Sequence, residues 1–359
     1  MAETSSMTVI LGVLYHFIGG FCSGTFYLPF KKVRGWSWES YWLVGGLFSW
    51  LIMPWLIATL TVPGYRQIIA DTASRTLFWT YAMGLLWGIG GLTFGLTMRY
   101  LGLSLGMSVA LGLTAAFGAL IPPIYRDVMN IDGEKFSTIF HSERGHWVLL
   151  GVVICLVGFA VCGRAGLLRE RELSHATKAA AIREFNLSLG LVVAVVCGIL
   201  SACFNFGIET GQPMARLAVE RGSNPLFQNN VVFVVLLWGG LTTNFIWCMI
   251  LNARKRSFGD YTSSRAPLVN NYIFSAIAGM IWFLQFFFYG MGASYLSNGA
   301  SSWVLHMAFI IITGSLWGLA LREWQGVTKR TFALLLIGIS TILLAVLLVG
   351  YGNSLVVKA

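Results

Sequence analysis

The sequence predicts an all-α polytopic membrane protein with about ten transmembrane helices in two inverted five-helix repeats. Its 359 residues are 57% hydrophobic and only 11% charged, whereas a soluble domain carries roughly 25% charged residues. The apolar residues are collected in runs of about 20, the length that a helix needs to cross a bilayer. Backbone groups cannot stay unpaired in lipid, and these runs are longer than the ~10-residue strands of a membrane barrel. A helical bundle follows.

The predicted helices follow one another along the chain. They cover residues 8–29, 40–62, 76–98, 103–124, 146–163, 187–208, 227–251, 268–290, 299–320 and 331–351. Residues 1–8 contain no Lys or Arg, so the positively charged start of a secretory signal peptide is missing. The first run is therefore expected to be a helix of the mature protein.

The basic residues predict an orientation in the membrane. Of the 24 Lys and Arg residues, 16 fall in the odd-numbered loops. Basic loops stay on the cytoplasmic side, so the odd loops are predicted to be cytoplasmic and both termini to lie outside. The net charge of +10 thus orients helices and does not indicate a nucleic-acid partner. The six cysteines lie in apolar runs without CxxC spacing, which favours buried hydrophobic side chains over a metal or redox site.

A charged stretch divides the chain into two halves of five helices. Residues 164–186 contain five Lys or Arg and are predicted to form a helical linker on the cytoplasmic side. A solvated connector is favoured here over a contact with lipid headgroups or DNA. The predicted organisation is therefore a first repeat at 1–163, the linker at 164–186 and a second repeat at 187–359.

The two halves repeat the same residue spacings. Four residues of the first helix match four of the sixth at an offset of 178, namely Gly12, Gly20, Ser23 and Phe26 with Gly190, Gly198, Ser201 and Phe204. Five residues of the third helix match five of the eighth at an offset of 195, namely Gly84, Trp87, Gly95, Tyr100 and Leu101 with Gly279, Trp282, Gly290, Tyr295 and Leu296. Five is an odd number of helices, so the second repeat must be inverted, as in many transporters. The glycines also permit close helix packing.

Three ionisable residues fall inside predicted membrane helices, where such a residue costs ~2.5–3.5 kcal/mol and suggests function. His16 and His306 are candidate proton carriers, because imidazole titrates near pH ~6.5. The alternative is a neutral histidine bonded to a backbone carbonyl. Glu209 is a third candidate, if burial allows it to take up a proton. It can equally lie at the headgroup level, since Gln212 and Pro213 follow it at once.

Amides and aromatic rings share these helices and suit a neutral polyhydroxylated solute. Amides pair with hydroxyl groups, and aromatic rings cover the apolar face of a pyranose. The amides are Asn205, Asn244, Asn270, Asn271 and Gln285. The predicted substrate-binding residues are Tyr15, Trp87, Asn205, Trp282, Gln285, Tyr289 and Trp303. For each aromatic residue the alternative is helix packing or lipid contact. No HExxH motif and no GxxxxGK[ST] phosphate loop occurs, so we expect a transporter driven by a gradient rather than an enzyme, with no cofactor and no metal.

Several long strings resemble those of the L-rhamnose–proton symporters of bacterial inner membranes, in the drug/metabolite transporter superfamily. In the first half these are YLPFKKVRGWSWE (27–39), GGLFSWLIMPW (45–55), WGIGG (87–91) and FGLTMRYLGLSLG (94–106). In the second half they are EFNLSLGL (184–191), WFLQFFFYG (282–290), SSWVLHMAF (301–309) and LREW (321–324). The resemblance implies import of L-rhamnose, or a closely related 6-deoxy sugar, with a proton. It extends to His16, Gln285 and His306, whereas the segment around Glu209 resembles the family only loosely.

The resulting hypothesis is a sugar site near the bilayer midplane between helices 1, 3, 4, 6, 8 and 9. Protonation of one buried group would raise sugar affinity, and alternating access would release both on the cytoplasmic side. One proton moving through 100 mV supplies ~2.3 kcal/mol, which supports roughly 50-fold accumulation. The alternatives are an exporter of drugs or metabolites in the same superfamily, a facilitator or exchanger of another sugar, and a membrane enzyme or sugar sensor.

Overall fold

The computed structural model describes residues 6–101, 103–130, 134–173, 186–296 and 299–355, and these ranges contain helices and turns but no strand. Ten of the helices in these ranges are long and apolar enough to cross a membrane, which confirms the predicted all-α polytopic protein with about ten transmembrane helices. They are α1 (Ser6–Thr25, continued by Tyr27–Phe30), α2 (Trp38–Thr61), α3 (Ser74–Leu101), α4 (Leu103–Val128), α5 (Glu143–Leu173), α6 (Leu187–Thr210, continued by Gln212–Glu220), α7 (Asn230–Lys255), α8 (Leu268–Tyr295), α9 (Gly299–Ala320) and α10 (Lys329–Ser354).

Short helices occupy some of the connections. Tyr65–Asp71 and Phe136–His141 are α-helical, and Pro225–Phe227 and Ser257–Tyr261 are 3₁₀-helical. The predicted linker at 164–186 begins inside α5, which continues to Leu173. Residues 174–185 of that linker lie outside the described part of the chain.

Helix α2 is interrupted by a π-helical turn over Phe48–Ile52, where Met53 N–H bonds to the Phe48 carbonyl oxygen. Pro54 follows the turn at once. Proline has no N–H, and its ring clashes with the carbonyl four residues earlier, that of Trp50. The wider turn accommodates both effects. Sequence periodicity predicted an uninterrupted helix here, because a single inserted residue leaves the apolar run unbroken.

The chain forms two compact units, each of which takes helices from both halves of the sequence. Of the described residues, unit 1 takes those within 1–20, 90–202 and 295–359, and unit 2 takes those within 21–89 and 203–294. The chain passes from one unit to the other within α1, α3 and α6 and at the end of α8. The sequence halves 1–163 and 187–359 are therefore interleaved in both units.

Glycines of the predicted repeat make matching contacts in unit 1. A methyl group at Gly12 in α1 would lie 2.8 Å from Leu296 Cγ at the end of α8. A methyl group at Gly190 in α6 would overlap Leu101 at the end of α3. Leu296 and Leu101 are themselves matched in the repeat. The first half thus packs on the second as the second packs on the first.

Glycines in unit 2 make the same kind of reciprocal contact between the two halves of the sequence. A methyl group at Gly84 in α3 would overlap the carbonyl oxygen of Leu236 in α7, and one at Gly279 in α8 would overlap that of Gly45 in α2. A backbone carbonyl cannot move aside as a flexible side chain can. Any residue larger than glycine at either position would therefore force the two helices apart.

A buried polar network joins the start of α2 to the end of α7 in unit 2. The Glu39 side chain is fully buried and lies 2.9 Å from Lys255 Nζ. Its second carboxylate oxygen accepts a 2.8 Å hydrogen bond from Ser257 Oγ. Ser257 also donates to Asn252, and Ser40 donates to Asp260 at 2.8 Å. Sequence analysis missed Glu39, because its position at the start of an apolar run is typical of an exposed headgroup-level residue.

Candidate functional site

Unit 1 holds a pair of buried histidines. The rings of His16 in α1 and His306 in α9 have centroids 6.2 Å apart and meet edge to face at 66°. Their exposed fractions are 0% and 3%. Two positive charges at this distance in a buried setting repel each other strongly. The arrangement is therefore suited to holding one proton at a time.

Close packing of α1 on α9 makes this pair possible. Gly20 lies one turn after His16, and a methyl group there would overlap Phe309, which lies about one turn after His306. The second half of the sequence has no histidine at the position that corresponds to His16. At the offset of 178, the residue of α6 that corresponds to His16 is Ala194, which is fully buried.

The two aromatic candidates in unit 1 lie beside the histidines in the sequence. Tyr15 stacks on Tyr295 with ring centroids 5.9 Å apart. Trp303 is buried, and its Nε1 donates a 2.9 Å hydrogen bond to the Thr114 carbonyl oxygen. Its ring lies so close to Gly118 that no larger residue fits there. These contacts hold both rings in place.

In unit 2 the predicted amides and rings of α3, α6 and α8 come together. Tyr289 OH donates a 3.1 Å hydrogen bond to Asn205 Oδ1, and both residues are buried. Trp87 packs against Phe204 and Phe286, with ring centroids 5.1 and 5.6 Å away. Unit 2 therefore contains both a buried pair of hydrogen-bonding groups and a group of packed aromatic rings.

Ring contacts connect five tryptophans in unit 2. We call four of them the tryptophan cluster, namely Trp42, Trp50, Trp87 and Trp282, and the fifth, Trp38, stacks on Trp42. The Trp282 ring lies 4.8 Å from Trp42 and 5.3 Å from Trp50 between centroids. Trp50 lies 6.3 Å from Trp87. Sequence analysis missed Trp42 and Trp50. Trp50 stands inside the string GGLFSWLIMPW, so a search of the resembling strings for aromatic residues with polar atoms would have found it.

The other amides differ in how far their hydrogen-bonding capacity is used. Asn244 accepts from Trp42 Nε1 at 3.1 Å and donates to the Gly240 carbonyl oxygen. Asn271 is buried and bonds both backbone groups of Arg34, while Asn270 is exposed.

Gln285 is only 5% exposed, and no hydrogen bond joins its amide to any residue in the described part of the chain. It stands on α8 between Trp282 and Tyr289, one turn from each. A buried amide retains a strong tendency to pair, so Gln285 is the amide best able to bind a solute.

Glu209 lies in unit 2 near the end of α6, half-buried, and interacts electrostatically with Tyr289. The three candidate proton carriers are therefore divided, with the two histidines in unit 1.

The residues that the structure describes contain no group of three or more His, Cys, Asp and Glu side chains that could hold a metal ion. The string GLSLG at 102–106 matches the GxSxG pattern of serine hydrolases, which requires a turn from strand to helix. Residues Leu103–Val128 instead form one helix, so this match carries no catalytic meaning.

Comparison with known proteins gives consistent matches over nearly the whole chain. A family model described as L-rhamnose-proton symport protein matches residues 5–355. An L-rhamnose-proton symporter of Yersinia pestis (strain Pestoides F) is 38% identical over 351 residues, covering 96% of this chain and 98% of the relative. A second, from Salmonella typhi, is 38% identical over 354 residues, covering 97% and 99%. The chain therefore belongs to the L-rhamnose-proton symport protein family.

Proposed function

We propose that this protein imports L-rhamnose, or a closely related 6-deoxy sugar, together with a proton by alternating access. The observation that carries the proposal is a pair of imidazoles in ring contact inside the membrane helices of a chain whose relatives are named L-rhamnose-proton symporters. Buried titratable groups in a membrane protein mark proton pathways by default. An exporter of apolar compounds would have no comparable use for the buried amides of unit 2.

The sugar-binding residues that we propose are those of unit 2. The amides of Gln285 and Asn205 and the phenol of Tyr289 bind hydroxyl groups, since Gln285 and Tyr289 are buried on neighbouring turns of α8 and Asn205 of α6 bonds Tyr289. The rings of Trp87 and Trp282 cover the C–H face of the pyranose. Glu209, close to Tyr289, is then placed to adjust which sugar is preferred.

The proton site that we propose is the histidine pair, with Tyr15 and Trp303 as its supports. Each ring stands within one turn of a histidine and is held by a stacking contact or a backbone hydrogen bond. One proton entering per sugar makes transport electrogenic, with ~2.3 kcal/mol from 100 mV.

The membrane arrangement that we propose is two inverted five-helix repeats in a bacterial inner membrane, with both termini periplasmic. The exchange of glycine contacts between the halves supports the repeat. The excess of Lys and Arg in the odd-numbered loops supports the orientation.

Uptake into proteoliposomes tests the function. We expect radiolabelled L-rhamnose to accumulate when an inward proton gradient is imposed, and sugar addition to make the external medium more alkaline. Equal uptake with and without a gradient would identify a facilitator instead. An absence of any L-rhamnose uptake or exchange, in liposomes that transport another sugar of a panel, would overturn the choice of substrate.

Replacing Gln285 tests the sugar site. Gln285→Leu keeps the approximate volume but removes the amide, so we expect the half-saturation concentration for L-rhamnose to rise about tenfold. A neutral hydrogen bond contributes ~0.5–1.5 kcal/mol, and ~1.4 kcal/mol is a factor of ten. The control is Gln67→Leu, whose amide is exposed and bonds Asp71. An unchanged half-saturation concentration in Gln285→Leu would remove this residue from the site.

A further inference from the structure

Trp50 has a buried donor that no residue in the described ranges accepts. The side chain is 1% exposed, and its Nε1 has no hydrogen-bond partner among the described residues. Nε1 of Trp42 donates to Asn244 and Nε1 of Trp303 to Thr114, whereas Nε1 of Trp36 and of Trp55, like that of Trp50, has no partner among the described residues. Most buried donors in native proteins are paired, so the orphan at Trp50 requires an explanation.

The position of the ring shows which way the donor faces. The Cε3–Cζ3 edge of Trp50 lies against Gly46, 2.5–2.7 Å from where a Cβ would stand. Nε1 is on the opposite edge of the indole, so it faces away from that contact. The neighbouring rings of Trp282 and Trp87 meet Trp50 at 69° and 90°. Such contacts offer at most a weak N–H···π interaction.

The local backbone is also unusual at this point. Trp50 is the central residue of the π-helical turn Phe48–Ile52, and single π turns in α-helices are frequent at functional sites. The preceding residue, Ser49, is fully buried, and its hydroxyl likewise has no partner among the described residues. Farther along α2, by contrast, the hydroxyls of Thr59 and Thr61 bond the carbonyls four residues earlier. The turn therefore contains two buried polar groups, the Ser49 hydroxyl and the Trp50 indole N–H, that no described residue pairs with.

We propose that the Trp50 indole N–H donates a hydrogen bond to one hydroxyl oxygen of the transported sugar and so contributes to sugar specificity. The proposal rests on the proposed function and extends the sugar site of unit 2 to α2. An indole is a donor only, so Trp50 recognises one hydroxyl oxygen as an acceptor. An amide such as that of Gln285 both donates and accepts, so it can pair with a hydroxyl group acting as an acceptor or as a donor. Trp282, in ring contact with Trp50, is placed to cover the adjacent C–H face.

The test combines one variant with a series of substrates. Binding of L-rhamnose and of its 1-deoxy, 2-deoxy, 3-deoxy and 4-deoxy analogues is measured by calorimetry on the full-length protein in detergent. Trp50→Phe is expected to weaken L-rhamnose binding about fivefold to tenfold. One deoxy analogue should bind the wild type more weakly by a similar factor and should lose nothing further in Trp50→Phe.

Two further variants make the result decisive. Trp36→Phe is the matched control, because Trp36 Nε1 is also buried without a partner among the described residues but its ring packs on Tyr261 and Tyr272. It should leave all five affinities unchanged. If Trp50→Phe does not fold, benzothienylalanine at position 50 replaces the N–H by sulfur in a ring of the same shape.

The outcomes separate the two proposals. Affinity for L-rhamnose within twofold of the wild type in the position-50 variant overturns the role of Trp50 and leaves the transport function standing. The role of Trp50 is also overturned if the position-50 variant weakens the binding of every deoxy analogue by the same factor as the binding of L-rhamnose. A wild-type protein that binds no L-rhamnose contradicts the proposed function, and the assignment of Trp50 to that sugar falls with it.

Discussion

Replacing His16 or His306 by glutamine is expected to abolish accumulation of L-rhamnose while exchange of the sugar across the membrane continues. In proteoliposomes with 100 mV, inside negative, the wild type should reach roughly 50-fold accumulation. Each variant should reach a ratio of about one. Glutamine retains hydrogen-bonding groups but does not titrate, so it leaves the pair with a single imidazole. Exchange of labelled for unlabelled sugar requires no net proton movement and should survive.

The physical reason lies in the contact between the two rings. A charged imidazole opposes the protonation of its neighbour, so we expect the two rings to act as one single-proton site that the loss of either ring disrupts. The tight approach at Gly20 keeps the rings in contact. A histidine with only a packing role would give a different result, because its replacement would lower the yield of folded protein and leave coupling intact in what remains.

His141 provides the control for this prediction. His141 is exposed and bonds the Ser137 carbonyl oxygen at 2.7 Å, so His141→Gln should accumulate sugar like the wild type. Full accumulation in both His16→Gln and His306→Gln would exclude the pair as the coupling site. Glu209→Gln would then be the next variant to measure.

Removing Lys255 is expected to destabilise the protein by about 3 kcal/mol. Lys255→Met leaves the fully buried Glu39 carboxylate without its 2.9 Å partner. Breaking a buried ion pair in this way typically costs ~3–5 kcal/mol, because an uncompensated charge remains buried. The lower end applies, since the Lys255 side chain is 54% exposed and water already screens part of the interaction. Reversible unfolding in mixed micelles, followed by tryptophan fluorescence, measures the loss.

A double-mutant comparison identifies the cause. Glu39→Gln combined with Lys255→Met removes both charges, so we expect it to recover most of the loss. Arg221→Met breaks the exposed pair with Asp71, whose atoms are 2.6 Å apart, and should cost under ~1 kcal/mol. If Lys255→Met costs no more than Arg221→Met, the Glu39 carboxylate is not held as a buried charge. A double variant as unstable as Lys255→Met would point to lost packing instead.

Much of the fold was predictable because a bilayer constrains each helix locally. The run at 299–320 coincides with α9, and the run at 268–290 lies within α8. Length and apolar content decide whether a segment spans the membrane, and both are read along a continuous stretch. The same reasoning does not resolve a single inserted residue, which is why the π turn in α2 was not predicted.

The chemical types at the candidate site were also predictable, since an ionisable residue or an amide in lipid is expensive and therefore conspicuous. Sequence analysis named His16, His306 and Gln285 on that ground. It overlooked Glu39 and Trp50. A residue at the start of a run is normally solvated, and an aromatic residue in lipid normally needs no partner.

The sequence by itself determined that this chain crosses a membrane about ten times and which family it resembles. It also identified three polar side chains, His16, His306 and Gln285, that have to be paired or used within the membrane. Only the tertiary structure decided that the two histidines meet in one unit, and that Asn205 of α6 meets Tyr289 of α8 in the other. Helix packing in lipid depends on where two backbones approach at glycine and on which faces interlock. These contacts join residues far apart in the chain, and the pattern of any one helix does not encode them.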